Sequence, residues 1–209
     1  MRTEYINLEL DATLSDQHSV VLAGVDEAGR GALFGPVVAA AVVLPPSALS
    51  ELVACQVRDS KQLSSYRRQQ LAEKICTLAV DWRVGFASTA EIDSINILQA
   101  SLLAMKRAVI KLKVQPDLCL VDGNQAIKDL ALPQQTLVKG DERSLVIASA
   151  SIVAKVWRDD LVVRLAAKYP MYDLGSNKGY GTARHLQALQ EYGPSRLHRL
   201  SFRPCQIKI

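Results

Sequence analysis

The 209-residue chain holds no apolar run long enough to cross a membrane: the longest, Val37 to Leu44, is eight residues, against roughly 20 for a spanning helix. Its opening stretch, Met1 to Asp11, mixes acidic with apolar residues and lacks the uninterrupted apolar segment of a signal peptide. The four cysteines, Cys55, Cys76, Cys119 and Cys205, form no CxxC pair, so neither a zinc site nor a disulfide frame is indicated. No internal repeat or low-complexity tract is present. At 49% hydrophobic and 22% charged residues, the composition also excludes disorder, collagen and coiled coil. What remains is one globular unit, too short for two ordinary domains, expected in the cytoplasm with its thiols reduced.

The net charge of +4 is too small to argue for an acidic partner. Its distribution is more telling. Residues 1–138 carry 13 basic and 15 acidic side chains, whereas residues 139–209 carry 12 basic and 6 acidic. All the excess positive charge lies in the last third.

Periodicity predicts alternating strands and helices. Short apolar runs mark strands at Val20–Val25, Val37–Leu44 (ended by Pro45-Pro46), Trp82–Ala87, Asp117–Val121 and Gln135–Val138. Helical spacing marks Tyr66–Ala79, Ile92–Leu112 and a long helix from Arg143 to about Lys168. The early turns of that long helix carry small residues (Ala148, Ser149, Ala150, Ser151, Ala154), as a helix lying close on a sheet requires. Three strands precede any helix-plus-parallel-strand unit, which predicts an antiparallel start to a mixed sheet. Thr182–Tyr192 and an Arg-rich tail form a small helical appendage.

Three strand ends carry carboxylates beside glycine: Asp26-Glu27 before Gly29, Asp122 before Gly123, and Asp141 after Gly140. Successive strand residues point to opposite faces, so Asp26 and Glu27 can share a site only where the strand is ending. Neighbouring strands ending at one sheet edge would bring the four acids together, where they repel unless cations sit among them. An all-oxygen set suits Mg²⁺ or Mn²⁺. Each signal alone has a plainer reading: Val121-Asp122-Gly123 as a strand-to-turn junction, Asp141 as a helix N-cap. Asp159-Asp160, near Arg158 and Arg164, reads as a solvated, ion-paired helix face.

Gly29-Arg30-Gly31 offers main-chain groups that a phosphate or sugar could approach closely; its plainer reading is a turn with an exposed arginine. It is not a GxxxxGK[ST] loop, because no Lys-Ser/Thr follows. Asn177 to Thr182 sets Lys178 and Tyr180 in a flexible turn, where the ring could stack on a nucleotide or simply edge the core. His185 and His198 lack metal-ligand spacing and read as structural or surface residues.

In combination, these stretches resemble the ribonuclease HII family from about Leu22 to Pro204. The resemblance is carried by Gly24-Val25-Asp26-Glu27-Ala28-Gly29-Arg30-Gly31, Gly35-Pro36-Val37-Val38, Asp59-Ser60-Lys61-Gln62-Leu63-Ser64 and Ile92-Asp93-Ser94-Ile95-Asn96-Ile97. Val121-Asp122-Gly123, Lys139-Gly140-Asp141, Lys178-Gly179-Tyr180 and His198 to Pro204 follow in order.

The resemblance implies an RNase H-like α/β fold: a mixed five-stranded sheet flanked by helices, with a catalytic core over 1–168 and a helical substrate-binding region over 169–209 in one compact unit. It implies a monomeric endonuclease that cuts the RNA strand of RNA–DNA hybrids and nicks DNA 5′ of embedded ribonucleotides. Asp26, Glu27, Asp122 and Asp141 take the places of the family's catalytic metal ligands for Mn²⁺ or Mg²⁺. Gly29, Arg30 and Gly31 take the place of the loop that reads the ribose 2′-OH, Tyr180 that of the junction-sensing tyrosine, and Lys61 that of a further substrate contact.

Three positions depart from the pattern. Asn177 stands where histidine is usual, Ala32 where proline is common, and Glu142 follows Asp141 where a small residue is common, which makes it a candidate helper. The ending Gln206-Ile207-Lys208-Ile209 has no aromatic pair of the kind a sliding-clamp peptide uses. Two other readings stay open: a different RNase H-like nuclease, and a hybrid-binding module whose acids serve only as caps and turns.

Overall fold

A computed structural model describes Asp11, residues 20–57 and residues 63–206. Lys61 lies outside the described residues. In chain order the elements are β1 (Leu22–Ala28), β2 (Val37–Val43), α1 (Pro46–Ala54), α2 (Ser65–Leu78), β3 (Asp81–Ala87), α3 (Thr89–Val109), β4 (Leu118–Asp122), β5 (Gln134–Leu137), α4 (Gly140–Arg143), α5 (Leu145–Ala166), α6 (Leu174–Asn177) and α7 (Ala183–Tyr192). Single 3₁₀ turns follow at Pro170–Tyr172 and Arg203–Cys205.

The strands form one sheet in the order β3-β2-β1-β4-β5. The expected antiparallel start is present: β1 pairs with β2, and β2 with β3, antiparallel. Strands β4 and β5 then add parallel to β1 and to one another. β2 is buried at all seven positions because helices cover both faces of the sheet, which is why it reads as a continuous apolar run. Val37, Ala39, Ala41 and Val43 pack with Ile92, Ala100, Ala104 and Met105 of α3. Ala40 and Val42 belong to the opposite core, with α1, α2 and the small residues of α5.

Close approach of α5 is set at Gly24. A Cβ there would lie 2.1 Å from the Val146 carbonyl carbon and oxygen. The N-terminus of α5 is held by Ser144, whose Oγ accepts from Ile147 N (3.4 Å), and by Asp11, whose carboxylate accepts from Ser144 Oγ (2.8 Å) and Leu145 N (2.5 Å). The expected helix from Arg143 to about Lys168 is α5, which begins two residues later, after the short α4. Ser144, with extended backbone, ends α4 and caps α5, so Asp141 is not the cap.

Two other boundaries differ from the sequence expectation. Pro45-Pro46 does not only end β2; Pro46 occupies the first turn of α1, where its missing N–H costs nothing. The helix expected from Ile92 begins three residues earlier, because Ser88 and Glu91 form a capping box. Helix α3 is kinked at Asn96 (φ 67°, ψ 164°), whose Oδ1 accepts from Gln99 N (3.1 Å) and so starts a second helical segment.

A third core, with Phe34, Val162, Tyr172, Leu174, Leu189 and Cys205, joins α7 and the tail to the end of α5. Asp93 fastens the tail to α3, accepting from Leu200 N (3.0 Å), Ser201 N (2.9 Å) and Ser201 Oγ (2.6 Å). No helix among the described residues is long and apolar enough to cross a membrane.

Candidate active site

β1 and β4 run parallel with Val25 paired to Val121, so Asp26 and Asp122 follow at the same level on adjacent strands. Both belong by alternation to the face covered by α5, since Ala28 and Leu120 pack there. Glu27 starts from the other face. Pairing to β4 ends at Val25 while pairing to β2 continues through Ala28. The strand is therefore longer than Val20–Val25, yet its β4 side is open where Glu27 needs to turn in. The three carboxylates bring oxygen atoms within 4.8 Å of one another.

Asp141 comes from α4, after β5, and is buried. It lines the same cleft of about 670 Å³ but stands outside the close trio. Glu142 is turned away: it is exposed and paired with Lys139 Nζ (3.2 Å). The four acids thus sit at the C-terminal edge of three parallel strands, where ligands of open α/β sheets bind.

The main chain supplies few donors to this cluster. Glu27 N donates to Asp26 Oδ1 (2.6 Å), and Gly140 N to Asp122 Oδ1 (2.7 Å). Burial, with Glu27 and Asp122 alongside, pushes the Asp26 carboxyl well above the ordinary carboxylate range. Glu27 is raised as well, chiefly by burial, although Arg30 Nη1 at 3.2 Å pulls it down. Buried and half-buried carboxylates that repel one another and have room beside them are a fitting donor set for a hard divalent cation.

The Gly29–Gly31 loop forms one wall of the cleft. Gly29 has φ 92°, and a Cβ there would lie 1.9 Å from Arg158 Nε. No such constraint applies to Gly31, where a Cβ would meet nothing within 4 Å. Packing accounts for the first glycine and leaves the second as bare backbone facing the cleft. Ala32 N donates to Gly29 O (3.3 Å), a bond that proline could not make, so alanine here helps to close the turn.

Tyr180 also lines the cleft. Its ring lies 4.9 Å from Lys155 Nζ and 5.4 Å from the Arg158 guanidinium carbon. Asn177 points away from the cleft: its Nδ2 donates to Tyr172 O (2.7 Å) and its Oδ1 accepts from Gly179 N (2.8 Å). It shapes the turn that carries Tyr180.

Sequence reasoning missed three residues of the cleft wall, Arg68 on α2 and Ser151 and Lys155 on α5. The i, i+4 spacing of Ser151 and Lys155 was a usable signal. The region around Arg158 and Asp159 also differs from a solvated face. Arg158 is fully buried, and Asp159 is enclosed between Lys155 (2.9 Å) and Arg68 (3.9 Å). The reason is tertiary: three main-chain carbonyls, of Pro36, Lys178 and Phe34, accept from the Arg158 guanidinium at 2.9–3.1 Å.

The ribonuclease HII family model matches residues 23–205. The chain belongs to the ribonuclease HII family. A ribonuclease HII from Nostoc sp. (strain PCC 7120) is 69% identical over 189 residues, which cover 90% of this chain and 84% of that protein. Among solved structures, ribonuclease H2 from Pyrococcus horikoshii OT3 matches with a TM-score of 0.77 at 28% identity, covering 89% and 95% of the two chains. Bst-RNase HIII in complex with Mn²⁺ matches with a TM-score of 0.75 at 19% identity, over 91% of this chain and 70% of that one, a likeness of fold. The mixed five-stranded sheet flanked by helices is thus the RNase H-like fold that these ribonucleases share.

Proposed function

We propose that the chain is a metal-dependent endonuclease that hydrolyses the RNA strand of RNA–DNA hybrids and nicks DNA 5′ of an embedded ribonucleotide, leaving a 3′-OH and a 5′-phosphate. The observation that carries this reading is the trio of carboxylates, one buried and two half-buried, within 4.8 Å, opening on a cleft lined by the Gly29–Gly31 loop and Tyr180. Asp26, Glu27 and Asp122 would hold divalent ions, with Asp141 completing the set. Two Mg²⁺ or Mn²⁺ ions bound there supply Lewis acidity to the attacking water and to the departing 3′ oxygen; the fold's occurrence with Mn²⁺ in Bst-RNase HIII supports the choice.

The chain's own residues bind and orient. Arg30, Arg68 and Lys155 line the cleft and balance phosphate charge, while the basic C-terminal region, 169–209, grips the duplex in a salt-dependent way. Gly31 lets the backbone approach the ribose 2′-OH, the group that separates RNA from DNA, and the Tyr180 ring packs at the junction. No side chain acts as a covalent nucleophile. Four free thiols suit a reducing compartment such as the cytoplasm, where the chain would act as a monomer.

The test is a DNA duplex bearing one ribonucleotide, incubated with the protein in Mg²⁺, Mn²⁺ or EDTA, with the nick mapped. A single nick 5′ of the ribonucleotide in either metal and none in EDTA is expected. Duplex binding that is equal in EDTA, with no nick in any metal, would instead identify a hybrid-binding module.

A further inference from the structure

His185, in the first turn of α7, and His198, in the tail, are buried against each other with their Nε2 atoms 3.0 Å apart. Two neutral imidazoles can meet in this way only if one donates and the other accepts. Their outer nitrogens settle which does so. Ser195 N donates to His198 Nδ1 (2.9 Å), so that nitrogen carries the lone pair and His198 Nε2 carries the proton. His185 Nδ1 lies 2.9 Å from the Tyr180 carbonyl oxygen, which can only accept, so His185 is protonated at Nδ1 and accepts at Nε2. The central bond runs from His198 to His185.

On His185 a further proton would face the His198 Nε2–H. Ser195 Oγ, also 2.9 Å from His198 Nδ1, donates to that nitrogen while the ring is neutral and would accept from it if it were protonated. Burial pushes both imidazoles below the ordinary histidine value, and His198, with His185 beside it, down to about 4. Tyr172, whose ring centroid is 4.5 Å from that of His198, and Phe34, at 5.1 Å, wall the pair off.

The bonds end on the turn that bears Tyr180. The carbonyl of Lys178 accepts from Arg158 (2.9 Å), and that of Gly179 from Leu33 N (2.8 Å) and Phe34 N (3.2 Å). The next carbonyl, that of Tyr180, accepts from Thr182 N (2.9 Å) within the same turn and from His185 across it. We infer that His185 and His198 are positioning residues for Tyr180: a one-directional chain of three hydrogen bonds, from Ser195 through both imidazoles, fixes the Tyr180 main chain and so the placement of its ring at the cleft. The consequence for catalysis rests on the reading of Tyr180 as the junction contact.

Two variants separate positioning from mere stability. His185→Asn sets an amide nitrogen where Nδ1 stood; it keeps the bond to Tyr180 and gives up the one to His198. His185→Gln sets an amide oxygen where Nε2 stood; it keeps the bond to His198 and gives up the one to Tyr180. H185N leaves the buried His198 Nε2–H unpaired, whereas in H185Q the Tyr180 carbonyl still accepts from Thr182 N. A purely structural role therefore predicts the larger loss in H185N and no separate change of preference in H185Q. We expect H185N to keep the preference for a single embedded ribonucleotide over a continuous hybrid, and H185Q to lose about tenfold of it in kcat/KM, the factor one buried hydrogen bond carries. Equal changes of preference in the two variants would overturn the inference.

Nitrogen-15 NMR of the wild-type protein at neutral pH reads the chain without substrate. The expected pattern is His185 protonated at Nδ1 only and His198 at Nε2 only; any other pattern overturns the inference. Tyr180→Ala with an unchanged preference would instead sink the junction reading of Tyr180, and the nitrogen signals would still decide the histidine chain.

Discussion

Asp26, Glu27 and Asp122 gather three carboxylates at the cleft, and Arg158 and Arg199 bury two guanidiniums against the main chain of the Gly29–Gly31 loop. Both groups are clusters of like charge drawn wholly or partly out of water, but their hydrogen bonding differs. The two arginines give five bonds to the carbonyls of Pro36, Lys178, Phe34, Gly35 and Arg30 at 2.7–3.1 Å. Among the described residues only Arg199 Nη2 of these donors has no partner. The carboxylates have few main-chain donors and open on a cleft. Burial alone therefore does not mark a functional charge cluster. A cluster whose hydrogen bonds are met within the fold is scaffold, whereas one that faces space with its charge unbalanced is prepared for a mobile counter-charge.

Asp122→Asn takes one carboxylate charge out of the trio. We expect cleavage to be abolished in Mg²⁺ and Mn²⁺, with circular dichroism and hybrid binding retained; substantial residual cleavage would remove Asp122 from the ligand set. On the cationic side, Arg158→Met strands three buried carbonyls. Urea unfolding should show a loss of about 3 kcal/mol or more, even though Arg199, held down to about 9 by burial and by Arg158, is relieved of a repelling neighbour. A loss below about 1 kcal/mol would mean that Arg158 is not scaffold.

Asp26→Asn sharpens the contrast, because it removes charge that the fold disfavours. The metal-free melting temperature should rise by about 2–4 °C, the shift that about 1 kcal/mol gives in a chain of this size. Mg²⁺ or Mn²⁺ should raise the melting temperature of the wild type by mass action and leave that of D26N nearly unmoved. A fall on substitution would mean that the charge is already balanced.

The smallest effect is a slope. Asp26 has a folded value raised above 3.8, so the folded state takes up that proton first and acidification through this range stabilises it. His198 is lowered from 6.5 to about 4, so the unfolded state takes up its proton first and stability is lost as pH falls through that window. D26N keeps only the second contribution. Its unfolding free energy, measured by urea at stepped pH, should therefore fall more steeply than that of the wild type; parallel curves would refute the raised Asp26.

The sequence carried the acidic end of this comparison and not the basic end. Asp26, Glu27 and Asp122 are legible because each stands where an apolar run meets glycine, a local pattern that survives without coordinates. Pairing of β1 with β4 is the long-range fact that joins them. Arg158 is not legible, because an arginine among Asp159, Asp160 and Arg164 has the spacing of an exposed ion-paired face, and the carbonyls that bury it come from residues 34, 36 and 178. Helix α1 was hidden by reading Pro46 as a stop when proline also starts helices. His185 and His198 have no informative spacing until the tail folds back.

Gly24 gives the cleft its height. Where the side chain is a hydrogen atom, the Val146 main chain rests directly on β1, and α5 carries Ser151 and Lys155 from that seat to the cleft wall. A single methyl group, two residues before Asp26, would act as a shim beneath the helix and lift both side chains off the carboxylates. Loss of cleavage in Gly24→Ala would then measure a gap, with every reacting group still in the chain.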